Sequence, residues 1–136
     1  MAALTAGRNT PEAIGDKRRV PLPANGKILQ GGMVQITAAG YAASASATAA
    51  NVTIGRAEET VDNTGGANGA ASIDVKRGIF RFANSAAGDL ITRTEIGKTV
   101  YVVDDQTVAK TNNAGARPAA GICFDVDAQG VWVEFQ

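Results

Sequence analysis

Ser72–Phe82, SIDVKRGIFRF, is the stretch on which the fold turns. Ile73, Val75, Arg77, Ile79 and Arg81 share one face of an extended chain, and Asp74, Lys76, Gly78, Phe80 and Phe82 share the other. Alternation of this kind marks a strand rather than a helix. The apolar phase changes near Gly78: Ile73 and Val75 lie on the first face, Phe80 and Phe82 on the second. A change of phase at a glycine predicts a bulge or bend.

Similar runs lie on both sides. Lys98–Asp104 (KTVYVVD) predicts a strand, and Asp104-Asp105-Gln106 a polar turn into Thr107–Lys110. Pro118–Val126 and Val131–Phe135 predict a closing hairpin that turns through Asp127–Gly130. In it Val131, Val133 and Phe135 face inward, and Trp132 and Glu134 face the other way. Upstream, Lys27–Leu29 and Met33–Thr37 flank a turn at Gly31-Gly32. Asn51–Arg56 reads as a strand continued by Glu58–Asp62, and Thr64–Gly69 as a flexible turn. The Ala/Ser/Thr tract of Tyr41–Ala50 reads as a low-complexity loop or an edge strand, since Ser and Thr weaken its helical tendency. One short helical turn fits near Ser85–Ile96. The expected fold is all-β, a small β-barrel or β-sandwich, with residues 24–136 as a single β-domain.

Residues 1–23 form the expected exception. AGRNTPEAIGDKRRVPLP, from Ala6 to Pro23, carries Pro11, Pro21 and Pro23 and has almost no apolar periodicity. Proline fixes φ and removes a backbone donor, so this stretch cannot join a central strand. It reads as an extended N-terminal arm lying on a neighbouring subunit or another surface, with a disordered tail as the alternative. Arg8, Lys17, Arg18 and Arg19 supply its positive charge, and Val20 and Leu22 supply small apolar plugs. Trp132 has two readings, a second core layer or an interface anchor of the kind common at binding hot spots.

Composition narrows the chemistry. The 13 basic and 13 acidic residues cancel, which argues against a general nucleic-acid binder. Charge is uneven: in residues 1–20 Arg8, Lys17, Arg18 and Arg19 outweigh Glu12 and Asp16, whereas residues 121–136 carry Asp125, Asp127 and Glu134 with no Lys or Arg. The chain has no histidine, the commonest general base and metal ligand, so Ser-His and Cys-His triads are excluded. Its one cysteine, Cys123, sits in an apolar run and reads as a small buried hydrophobe. No apolar run approaches a membrane span, and the N-terminus lacks the apolar centre of a signal peptide; synthesis in a cytoplasm is the expectation.

Three partial motifs reduce to turns or edges. Glu95–Thr99 (EIGKT) ends like a phosphate-binding loop, but Thr92 stands where the motif needs a glycine, and a strand follows instead of a helix. Asp125–Gly130 begins like a calcium loop, but Gln136 stands where the bidentate glutamate belongs. Glu58 and Glu59 are adjacent on a strand and point to opposite faces, so they do not converge as a glycosidase pair. No catalytic residue, cofactor or metal is expected.

Several strand blocks resemble a known family. VTIGRAEETVDN (Val52–Asn63), followed by glycines and IDVKRGIFRF (Ile73–Phe82), is similar to the capsid cement, or decoration, proteins of tailed-phage heads. GKTVYVVDDQTVAK (Gly97–Lys110), Ala120-Gly121 and Val131–Val133 fit the same group, so the likeness covers most of the chain after about residue 7. It rests on strand blocks and no catalytic motif underlies it. The resemblance implies a non-enzymatic virion component on the outer capsid surface. It implies the major capsid protein as partner, a homo-oligomer, most often a trimer, and no nucleic acid or membrane contact. A tail or baseplate β-domain and a carbohydrate-binding β-module are the alternatives.

Overall fold

A computed structural model describes residues 2–136 of the chain. The fold is all-β. Five strands form one antiparallel sheet in the order β1-β7-β5-β3-β4: β1 (Lys17–Pro21), β3 (Met33–Ile36), β4 (Ala42–Ser44), β5 (Val52–Ala57) and β7 (Ser72–Lys76). Five more form a second sheet in the order β10-β9-β11-β12-β8: β8 (Ile79–Phe82), β9 (Thr99–Val102), β10 (Val108–Ala109), β11 (Ala119–Asp127) and β12 (Gly130–Glu134). A small antiparallel pair, β2 (Lys27–Ile28) with β6 (Val61–Asp62), is hydrogen-bonded to neither sheet but packs Ile28 into the first sheet's core. Single 3-10 turns at Ala87–Asp89 and Arg93–Glu95 supply the expected helical element.

The phase change at Gly78 has a structural meaning larger than a bulge. Ile73 and Val75 bury their side chains in the first sheet, whereas Phe82 is buried in the second and Phe80 packs against its core. The chain crosses from sheet to sheet at Arg77-Gly78, and the inward face changes there.

Each sheet has its own core. Val20, Leu22, Ile28, Val34, Ala42, Ile54, Ala57, Ile73 and Val75 form one cluster. Phe82, Ile91, Val100, Val102, Val108, Cys123, Val131, Val133 and Phe135 anchor the other. Burying one such Val, Leu, Ile or Phe side chain stabilises the fold by about 1.5–3 kcal/mol. β3 serves both clusters, because neighbouring strand residues face opposite ways: Met33 enters the second cluster and Val34 the first. The sheets are tied further by the Met33 N–H, which donates to the Asp105 carbonyl at 2.7 Å, and by the Ser44 hydroxyl, which donates to Asp105 at 3.0 Å. The architecture is sandwich-like. The second sheet curls until its edge strands touch, the Ala83 N–H donating to the Gln106 carbonyl and the Val108 N–H to that of Ala83, but no closed barrel forms among the described residues.

One glycine is imposed by close approach. Gly55 lies at the register shift between β3 and β5, with φ at 151°, and a Cβ there would strike the Lys76 carbonyl.

Two expectations are corrected. The arm does not extend to Pro23. Lys17–Pro21 is β1, paired with β7 from Lys17↔Lys76 to Pro21↔Ser72, and Leu22 N–H donates to the Ala71 carbonyl at 2.9 Å. β1 is an edge strand, where a proline such as Pro21 is tolerated. Nor does Glu58–Asp62 continue β5: that strand ends at Ala57, and Val61–Asp62 turns away to pair with β2.

Candidate interaction surface

The arm proper is residues 2–16. It has no regular secondary structure and is exposed throughout. Ile14 is 94% exposed and Leu4 70%, high values for aliphatic side chains. The backbone tie of the arm to the body is at its root, where the Arg77 N–H donates to the Asp16 carbonyl at 2.9 Å. Gly15, with φ at 84°, turns the chain away there.

The expected contact residues divide into three groups. Arg8, Lys17 and Arg18 are exposed and have no ion-pair partner among the described residues. Arg19 is committed within the chain, its guanidinium 3.0 Å from Asp74 and 3.7 Å from Glu59. Val20 and Leu22 are not plugs for a partner: they are 7% and 0% exposed, Val20 on the inward face of β1 and Leu22 just past its end, both in the first sheet's core. A run of cations beside two prolines hides the short inward alternation Val20, Leu22.

Trp132 is neither core nor freely exposed. It stands half-buried on the outer face of β12, opposite Arg81 of β8. Its indole N–H donates to Asp127 at 2.9 Å, and the Arg81 guanidinium lies 5.5 Å from the ring centre. Asp127 also accepts from the backbone N–H groups of Gln129 and Gly130. The indole bond first, and the Gln129 amide after it, hold the Asp127 carboxyl below its ordinary range.

The remaining motif residues have structural partners. Asp127 closes its hairpin by these bonds. Glu58 pairs with Arg56 at 2.6 Å, while Glu59 faces Arg19. Gly97, with φ at 86°, turns the chain into β9. No group of three or more His, Cys, Asp or Glu is placed to hold a metal ion among the described residues. Cys123 is buried, and desolvation first, then Asp125 and Glu95, push its thiol pKa up. No helix among the described residues is long and apolar enough to cross a membrane.

Sequence reasoning missed the buried polar side chains. Gln35 is fully buried; its amide donates to the Ser46 carbonyl (3.1 Å) and accepts from the Ser46 N–H (3.0 Å) and from Asn51 (3.1 Å). The Ala/Ser tract is thus pinned by one glutamine. The half-buried Asn84 makes the same reciprocal pair with Ile91. Glu95 is buried beside Lys98 and Lys110. No sequence signal separates these residues from surface polar groups.

Several concavities mark the surface of the described residues. A cleft of about 390 Å³ opens between the sheets, lined by Ala49, Val52, Pro118, Ala119 and Ile122 among others. A groove of about 490 Å³ lies at the arm root, bounded by Ile14, Asp16, Arg77, Ile79 and Glu134.

No protein-family model, curated protein or solved structure matches the chain.

Proposed function

We propose that this protein is a structural component of a phage virion, a decoration subunit that binds the outside of the mature head and stabilises it. The single observation that carries the reading is the arm: residues 2–16 stand exposed, with Leu4, Arg8 and Ile14 presented to a partner, on a body whose two cores are complete without them. The likeness of Val52–Asn63, Ile73–Phe82 and Gly97–Lys110 to cement proteins supplies the partner, the major capsid protein. The acting groups are then Arg8, Lys17 and Arg18, with Leu4 and Ile14 taking the place expected of Val20 and Leu22.

The mechanism is linkage. A ligand that binds only the assembled, expanded shell stabilises that state by its binding free energy. A trimer multiplies three weak contacts through effective concentration. The experiment is electron microscopy of heads made with and without this protein, followed by thermal challenge. Regular outer density and a higher temperature of DNA release in its presence support the reading. Bare shells of unchanged stability refute it.

A further inference from the structure

The outer edge of β8 has a gap that matches the arm. The Phe135 N–H donates to the Gly78 carbonyl, and β8 pairs with β12 from Val131↔Phe82 to Glu134↔Ile79. Antiparallel ladders alternate, so the N–H and C=O of Ile79 and Arg81 point away from β12. At either end of this edge the outward groups are already bonded: the Arg77 N–H to Asp16, and Ala83 to Gln106 and Val108. Between them Ile79 and Arg81 present two N–H and two C=O groups that have no partner among the described residues. Unpaired backbone of this kind is a template for another strand. Separate shallow concavities lie beside it at Ile79, at Arg81 and at Ala83.

The arm carries the complement. β1 and β7 pair so that Asp16 stands against Arg77. Continued by one residue at a time, that register sets Gly15 against Gly78, Ile14 against Ile79 and Glu12 against Arg81, and it ends there because Ala83 is already bonded to Gln106 and Val108. The even-numbered arm residues then face β8, and Pro11 faces outward, where its missing N–H costs no ladder bond. Ile14 would cover Ile79, and Glu12 would meet Arg81 with opposite charge. The chain's own arm does not take this place: Gly15 turns it out and leaves Ile14 exposed beside the groove.

We propose that the β8 edge from Ile79 to Arg81 is the receptor for residues 12–14 of the arm of a second copy of this chain. Each molecule displays both halves of a self-complementary strand pair, the requirement for exchange of an arm between copies. Fully extended, residues 2–15 reach about 46 Å, and the span from Arg77 to Ala83 is about 20 Å. The inference rests on the reading of the arm as a clamp, but its test needs no shell, so its failure is distinguishable from failure of shell binding.

Full-length Glu12→Cys and Arg81→Cys proteins, given different mass tags, are mixed with oxidised glutathione as the oxidant. Cα atoms opposite each other in such a pair lie within disulfide reach, and Cys123 is buried in both proteins. The expected result is a mixed disulfide dimer in several-fold excess over either homodimer. Homodimers alone overturn the proposal, and so does a double variant that closes only within one chain. Ile14→Pro, which removes an inward N–H, lowers the yield of mixed dimer several-fold, and Ala13→Pro, at an outward position, does not. Equal effects of the two prolines also overturn it.

Discussion

The Arg56 guanidinium lies 3.9 Å from the centre of the Phe80 ring, and it joins the two sheets at the place where the chain crosses between them. Arg56 belongs to β5 of the first sheet and Phe80 to β8 of the second, two residues beyond Gly78. Glu58 holds the guanidinium from one side. Phe80 in turn contacts Phe135, whose ring also meets Phe82 edge-on. A single cation on an aromatic face thus links the outer charge of one sheet to the aromatic core of the other.

Replacing Arg56 by Met keeps the stem and removes the charge. The expected loss is about 0.5–2 kcal/mol, the range of such contacts from exposed to desolvated sites. A double-mutant cycle with Phe80→Leu, read by urea denaturation, checks it: a coupling energy near zero contradicts the contact's role.

Leu22→Ala should cost about 2–5 kcal/mol, because the side chain is fully buried. Leu4→Ala, in the arm, should stay within about 0.5 kcal/mol. Equal losses in denaturant melts contradict the boundary drawn at Asp16.

Gln35→Leu strips the Ser46 N–H and carbonyl of their partner and should cost about 1–3 kcal/mol. Hydrogen exchange should speed up across Ser44–Asn51 before it does elsewhere. Uniform acceleration along the chain contradicts a local clamp.

Acid should reveal the Asp127 hairpin. Its folded-state pKa is lowered, so its contribution is present above the ordinary carboxylate pKa of about 3.9 and is lost as pH falls through the folded value. Asp89, lowered by Thr111 and then Arg117, acts with the same sign. The melting temperature should therefore decline from about pH 4 downward. Trp132→Phe removes the indole donor and should flatten that decline; an unchanged acid slope contradicts the assignment.

The strands with long alternation were legible in the sequence. Ser72–Phe82 reads as extended chain with a bulge or bend at Gly78, which the structure turns into a crossing between sheets, and Val131, Val133 and Phe135 point inward as their spacing predicts. What stayed hidden is short or paired at long range. β2, β6 and β10 have two residues each, too few for any period. β1 shows only Val20 inward, with Leu22 just beyond it, amid cations and prolines, and its strand character comes from β7, more than fifty residues away in sequence. The same concealment displaced two expected contact residues into the core. Arg19 was indistinguishable from Lys17 and Arg18 until Asp74 was placed opposite it.

The measurement that bears most directly on the central claim is co-sedimentation of expanded phage head shells with the full chain and with a chain lacking residues 2–15. The arm account predicts that the shortened chain keeps its melting transition and binds at least about tenfold more weakly, a loss of ~1.4 kcal/mol. Equal binding by the two chains, at low and at high salt, would contradict it.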